Sequence, residues 1–349
     1  MRKFTKKEKV FIQYGFLILL ISLTTYLVST TLDLNLIPKL INIVNTKYIL
    51  LGFILMIIYV GLESLVIRII VKSIHKNCVK FIGFKLATMG MYYNLVTPFA
   101  SGSQPMQIYA LTKYDIKISK SIAIITNKTL VFQSIVTIYC GVLLLGNVAL
   151  LKAEMPSVMM LVTIGMIMNV SMLLGGLLIV LSPKNVKRML AILVKVLKKI
   201  NLFTSLIPNE SDLNKYIDEY NYSITIFIKN KKALISSVIF TTIQLTVFFS
   251  LVYCVYKAFN LNQVSYIKLL SLQVILYMSI SPIPTPGNVG ASELAFLTIF
   301  RGIFPRELIG FSVFLYSGYV YYFVIIITGI LTIYTHYSLS KIEKVKVKL

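Results

Sequence analysis

Residues 282–290 read Pro282-Ile283-Pro284-Thr285-Pro286-Gly287-Asn288-Val289-Gly290, and they interrupt an apolar stretch that otherwise runs from 266 to 300. Three prolines within five residues remove backbone donors and clash with a preceding helical turn, while the two glycines permit positive φ, so no helix passes through this segment. A second apolar stretch, 82 to 111, is broken in the same way by Thr97-Pro98-Phe99-Ala100-Ser101-Gly102. Six further apolar runs carry no such break, at about 10–30, 48–71, 121–150, 157–181, 233–257 and 308–336. Each has about the 20 residues a helix needs to cross roughly 30 Å of hydrocarbon.

Composition agrees with this pattern. Hydrophobic residues make up 57% of the 349 positions and the mean hydropathy is +0.82, above the roughly 45–50% apolar share of soluble domains. A soluble enzyme is thereby excluded. Five basic residues, Arg2, Lys3, Lys6, Lys7 and Lys9, precede the first run, which is too long for a secretory signal and lacks a small-x-small cleavage site, so it is expected to be an uncleaved first span. Cys78, Cys140 and Cys254 sit in or beside apolar runs without metal-ligand spacing and are expected to be small buried hydrophobes.

Charge sets the orientation. With both termini inside and each broken stretch entering and leaving on one side, 27 of the 35 basic residues fall on inner segments and 7 on outer ones, with Lys128 inside a span. The expected fold is therefore an all-α integral membrane protein with about six full transmembrane helices and two re-entrant broken-helix hairpins, its N and C termini cytoplasmic. Residues 1–349 form a single transmembrane domain, with inverted halves at about 1–150 and 157–349 and a cytoplasmic amphipathic insert at about 183–232. Inverted repeats with broken helices are a common way to build a substrate site reachable from either face.

Non-helical backbone in hydrocarbon is tolerated only where protein or water covers it, because each unpaired peptide group costs several kcal/mol. Thr97, Ser101, Ser103 and Gln104 surround the first break, and Asn288, Ser292 and Glu293 the second. A half-helix starting after each break would aim its free N–H groups and positive dipole end at a phosphate. A charge at a span centre costs about 2.5 to 3.5 kcal/mol, which singles out Glu63, Lys128 and Glu293. Glu293 is expected either to face the polar path or to cap the broken helix. Glu63 lies five residues from Arg68, a poor intrahelical spacing, and is expected to meet Lys128 or a lipid. His75 and His336 carry no zinc-site pattern, and no nucleotide-binding loop is present. The net charge of +23 follows the topology rather than a nucleic-acid surface.

At these residues the chain resembles the transmembrane, lipid-flipping part of lysylphosphatidylglycerol synthase/flippase proteins, also called multiple peptide resistance factors, and their stand-alone relatives. The resemblance rests on Tyr93-Asn94-Leu95-Val96-Thr97-Pro98 leading to Gly102, on Gln104-Pro105-Met106-Gln107 with Leu111, on the loop from Pro284 to Glu293, and more weakly on Arg68. Three positions depart from the pattern: Ser103-Gln104 stands where many members carry Gly-Glu, Gln133 fills an acidic position, and Asn288 replaces a glycine. The bifunctional relatives carry a cytosolic aminoacyltransferase domain, and this chain is expected to lack it. Its longest polar stretch includes Val186 to Ile200, where Met189, Leu190, Leu193, Val196, Leu197 and Ile200 recur opposite lysines and an arginine, as in an interfacial basic helix.

The expected function is a membrane lipid translocase of the cell membrane, moving a phospholipid, with aminoacylated phosphatidylglycerol as a candidate, between leaflets through a cavity lined by the two re-entrant hairpins. The alternatives are a phosphatidylglycerol lysyltransferase-type enzyme and a scaffold for an envelope enzyme. The expected headgroup residues are Arg68, Thr97, Pro98, Ser101, Gly102, Gln104, Lys128, Pro286, Gly287, Asn288, Gly290, Ser292 and Glu293. No catalytic residue, metal or cofactor is expected. The partners expected are membrane phospholipids, anionic or aminoacylated, and no nucleic acid, with a second copy of the chain or an envelope enzyme left open.

Overall fold

The computed structural model describes residues 44–76, 78–181 and 210–346. Thirteen α-helices follow in order among the described residues: α1 Thr46–Ile74, α2 Ile82–Val96, α3 Ser103–Lys113, α4 Ile118–Leu145, α5 Val148–Glu154, α6 Pro156–Leu181, α7 Glu210–Lys229, α8 Lys231–Phe249, α9 Leu251–Ala258, α10 Tyr266–Ile280, α11 Ala291–Ile299, α12 Ile309–Ser317 and α13 Phe323–Lys346. A π-helical segment, Gly318–Tyr322, joins α12 to α13. The expected span at 10–30 and the expected interfacial helix at 186–200 lie outside the described residues.

Five helical stretches are long and apolar enough to cross a membrane: Thr46–Ile74, Ile118–Leu145, Pro156–Val180, Lys231–Ala258 and Ile309–Ser340. They match five of the six unbroken runs. Their outward faces carry residues that a water-soluble fold would bury, among them Ile57, Ile138, Ile167, Leu178 and Ile330. An apolar surface of this extent is the mark of a lipid-facing bundle. The chain is an all-α, multi-pass integral membrane protein.

Local chemistry fixes the helix ends. The side chains of Asn45, Asn230 and Ser265 accept from the N–H groups of Lys47, Ala233 and Lys268 at the starts of α1, α8 and α10, each satisfying a donor that the helix leaves free. Between helices, small residues allow close approach. A Cβ added at Gly165 of α6 would lie 2.0 Å from the Met278 carbonyl oxygen of α10, and one at Gly52 of α1 would lie 2.3 Å from the Tyr319 ring. The core pairs α1 with α8, α2 with α1 and α13, and α6 with α10.

Helix α7 packs on α4 through Ile217, Tyr220 and Ile224, which are buried with Ala123, and through Phe227. Its Glu219 accepts from Ser119 Oγ at 2.5 Å and pairs with Lys117 at 3.0 Å. Partial burial pushes the Glu219 carboxyl up, but the hydrogen bonds from Ser119 and Lys117 and the charges of Lys117 and Lys120 together hold it below its ordinary value.

Candidate functional site

The two broken stretches share the same Thr-Pro turn and then diverge, Ser101 and Gly102 being right-handed helical where Val289 is extended and Gly290 has positive φ. After α2, Thr97 is extended, Pro98–Ala100 forms a 3-10 turn, and α3 starts at Ser103. After α10, Thr285 is extended, Pro286–Asn288 forms a 3-10 turn, and α11 starts at Ala291. Thr97, Pro98 and Gly102 therefore correspond to Thr285, Pro286 and Gly290 with identical spacing. The hydrogen bonds correspond as well: Ala100 N–H and Asn288 N–H donate to the threonine carbonyls, and Ser101 N–H and Val289 N–H to the proline carbonyls. In each turn the two residues after proline have positive φ, Phe99 at 54° and Ala100 at 51°, Gly287 at 60° and Asn288 at 56°. Proline fixes the entry and forbids continuation of the helix. Glycine at 287 meets the positive φ without strain.

These two turns pack against each other, and the second also packs on α2. Gly287 marks the tightest point, since a Cβ there would lie 2.5 Å from the Tyr321 ring and 3.0 Å from the Leu95 carbonyl oxygen. Thr97 ties the first turn together: its Oγ1 donates to the Tyr93 carbonyl at 2.6 Å and accepts from Gly102 N–H at 2.9 Å. Ser101 Oγ donates to the Pro98 carbonyl. Gly102 is the N-cap of α3, and Gln104 is half-buried in its first turn. The arms of this hairpin are pinned by Gln107, whose Nε2 donates to the Leu86 carbonyl at 2.9 Å across the space that Gly90 leaves open.

Around the second turn, Pro286, Gly287 and Asn288 are half-buried, Ser292 is buried and Gly290 is exposed with φ 81°. Glu293 Oε2 accepts from Gly290 N–H at 2.6 Å, closing the first turn of α11, and Oε1 accepts from Ser317 Oγ at 2.8 Å. Of the two roles expected for Glu293, the geometry supports the cap, extended by a tie to α12 where the π-helical segment begins. Such segments recur at functional sites.

Lys128 and Arg68 were expected to offer charge to a phosphate. Lys128 instead lies 2.5 Å from Glu63, and Gln244 Nε2 donates to the other oxygen of that carboxylate at 3.0 Å. Its charge is neutralised by Glu63, the partner anticipated for that glutamate. Arg68 is exposed on α1 where Gly83 of α2 packs against its backbone, and it forms no ion pair among the described residues.

Several residues of the site were not singled out from sequence. Asn169 of α6 accepts from Gln133 of α4 at 2.8 Å and donates to Ser281, the residue that opens the second break, at 3.2 Å. Tyr93 meets His336 at 3.0 Å between its hydroxyl and Nε2. Asn169 and Gln244 are amides inside apolar spans, a signal available in the sequence. Ser317 and Tyr321 carry none, because hydroxyls are common in membrane helices. Among the described residues no group of His, Cys, Asp or Glu could hold a metal ion.

Paired broken segments in contact with each other, in a bundle whose longest apolar helices could each cross a membrane, define a multi-pass integral membrane protein. The chain belongs to the family described as the lysylphosphatidylglycerol synthase TM region, whose model matches residues 11–328. No curated protein and no solved structure matches it.

Proposed function

We propose that this protein is a lipid translocase of the cell membrane that passes phospholipid headgroups between leaflets along the junction of the two broken segments while the tails stay in hydrocarbon. The observation that carries this reading is the contact between two Thr-Pro turns that share their hydrogen bonds and their two positive-φ residues, each followed by a half-helix and each set within an apolar stretch. Both stretches act as re-entrant hairpins entering from opposite faces, and the halves of the chain are inverted with the termini cytoplasmic, as the distribution of basic residues supports. In this arrangement the close approach of Gly287 to Leu95 and Tyr321 is the closed point of the path. Passage parts the turns on one side and then the other.

The family description supports a membrane component of lysylphosphatidylglycerol synthesis or transport. Thr97, Ser101, Gln104, Asn288 and Ser292 supply the polar lining, and Glu293 holds its shape. The purified protein in liposomes, assayed for leaflet exchange of labelled phospholipids, is expected to accelerate exchange over protein-free vesicles. A cysteine pair crosslinking position 99 to position 288 is expected to abolish that acceleration until reduced. Exchange at the protein-free rate would refute the proposal.

A further inference from the structure

Resting on the translocation reading, we infer that the buried Glu63–Lys128 pair is a proton site that couples lipid movement to a proton gradient across the membrane. The pair joins two spans, α1 and α4, and Gln244 of a third, α8, donates to its carboxylate at 3.0 Å. Charges buried in this way are costly and add little stability over an apolar pair, and in membrane helices they mark proton and ion routes. The titratable groups around Glu63 are Lys128 of α4, Tyr59 one turn earlier on α1 and, beyond Tyr59, Tyr277 of α10. Gln244 is neutral, so Lys128 is the one charge in contact with the carboxylate among the described residues.

The surroundings provide for both protonation states of Glu63. In the ionised state Lys128 and the Gln244 Nε2 group occupy its two oxygens, while Gln244 Oε1 is buried without a partner. When a proton adds to the carboxylate, one O–H bond forms, the Lys128 hydrogen bond to that oxygen is given up, and the site passes from neutral to a single positive charge. A turn of the Gln244 amide brings Oε1 round to accept from the new O–H. Lys128 keeps its three protons. It is partly exposed, lies over the Phe132 ring and extends from the helix whose first turn carries Lys120, so its ammonium can swing toward the basic side of the bundle. Two more buried groups have no partner, Asn127 Nδ2 next to Lys128 and Ser237 Oγ two turns nearer that side than Gln244, and both suit water molecules that carry the proton. Helix α1 links the site to the junction. About three turns back from Glu63, Gly52 packs on the Tyr319 ring, whose hydroxyl donates to the Ile49 carbonyl at 3.2 Å, and Tyr321 of the same π-helical segment packs on Gly287. A shift of α1 against α4 and α8 on loss of the ion pair therefore bears on the closed point of the path.

The test measures exchange of labelled phospholipid by the full chain in liposomes, without a pH gradient, with a gradient of about one unit, and after a protonophore. One unit supplies at most about a tenfold bias, so exchange by the unmodified protein is expected to quicken several-fold and to fall back when the protonophore is added. Glu63→Gln with Lys128→Met, in which neither charge remains, is expected to exchange equally with and without the gradient. An unmodified protein indifferent to the gradient overturns the inference. So does a double variant that still responds, because a pair that only holds helices together would behave that way. Where the double variant is too unstable to reconstitute, Gln244→Leu replaces it: the ion pair stays, the acceptor for the neutral acid is lost, and an undiminished response overturns the inference. Infrared difference spectra of the detergent-purified proteins on acidification need no transport. A protonated-carboxyl band is expected in the unmodified protein and not in the double variant, and its absence from the unmodified protein overturns the inference. If the band appears but no lipid exchanges under any condition, the translocation reading falls and the assignment of the proton site to this pair stands.

Discussion

The Glu63 carboxylate of α1 and the Lys128 ammonium of α4 lie 2.5 Å apart inside the bundle, and Gln244 of α8 completes the carboxylate's partners at 3.0 Å. Three helices thus share one buried charge pair, with Lys128 also over the Phe132 ring. Removing one partner leaves a bare charge in hydrocarbon, whereas removing both leaves none. Lys128→Met is expected to cost about 3 kcal/mol of stability, and Glu63→Gln with Lys128→Met to recover most of that loss. Thermal unfolding in one detergent measures all three proteins. A double variant as unstable as the single one would mean that the pair is not the source of the cost.

The matched turns place different residues at the same left-handed position. Phe99 is a bulky residue at φ 54° with its side chain largely exposed, whereas its counterpart Gly287 has φ 60° and no free space. Left-handed backbone costs a non-glycine residue about 1–2 kcal/mol. Phe99→Gly is therefore expected to stabilise by up to about 1 kcal/mol once the extra freedom of the unfolded chain is counted, and Gly287→Ala to destabilise by about 2 kcal/mol through strain and overlap with Tyr321. Shifts of the same sign in the two variants would show that the turns are not conformational equivalents.

For Glu293, both oxygens are occupied by structural donors. Glu293→Gln keeps an acceptor for Gly290 N–H and a group that can meet the Ser317 hydroxyl, so lipid exchange is expected to stay within about threefold of the unmodified rate, while Glu293→Ala loses about 1 kcal/mol of stability and much of the exchange. A collapse of exchange in the glutamine variant at normal stability would instead assign the carboxylate charge to the headgroup or to a proton.

Glu219 gives a pH dependence. Its folded carboxyl lies below the ordinary value that it regains when α7 detaches, so α7 docking gains stability above that ordinary value. The gain is lost as pH falls through the depressed folded value. Backbone hydrogen exchange in 210–229, corrected for intrinsic rates, is expected to be unchanged from pH 8 to 6 and to quicken below about pH 4, with Glu219→Gln abolishing the pH step. A step centred near pH 6 would point to another group.

Much of this was legible in the sequence because it is local. Proline and glycine act through covalent geometry, so the breaks at Thr97–Gly102 and Pro282–Gly290 could be placed without knowing any neighbour, and span lengths follow from hydropathy alone. The Glu63–Lys128 pairing was half legible, since two opposite charges within apolar runs have a strong reason to meet. That same pairing engages the Lys128 ammonium, so a phosphate there would compete with Glu63 for it. Ser317 and Tyr321 were not legible: each acts on a partner brought close only by packing, as Ser317 does on Glu293 from 24 residues away.

Asn169 carries the remaining prediction. Its Nδ2 donates to the Gly165 carbonyl at 2.8 Å and to Ser281 Oγ at 3.2 Å, and its Oδ1 accepts from Gln133 at 2.8 Å. Gln133 also reaches the Asn169 carbonyl at 3.1 Å, so it keeps a partner if the Asn169 side chain is lost. Asn169 is therefore the link through which α4 and α6 hold the second break, and Gln133 supports it from behind. Interhelical hydrogen bonds in membranes contribute about 0.6 kcal/mol each on average, so Asn169→Leu is expected to cost only about 1 kcal/mol of global stability. Its local effect is larger, because Ser281 opens a segment whose backbone has few hydrogen bonds of its own. Hydrogen exchange across 281–290 is expected to quicken several-fold in Asn169→Leu, somewhat less in Ser281→Ala and least in Gln133→Leu, with lipid exchange falling in the same order. If Gln133→Leu loosened the segment as much as Asn169→Leu, the contact with Ser281 would not be what holds the break.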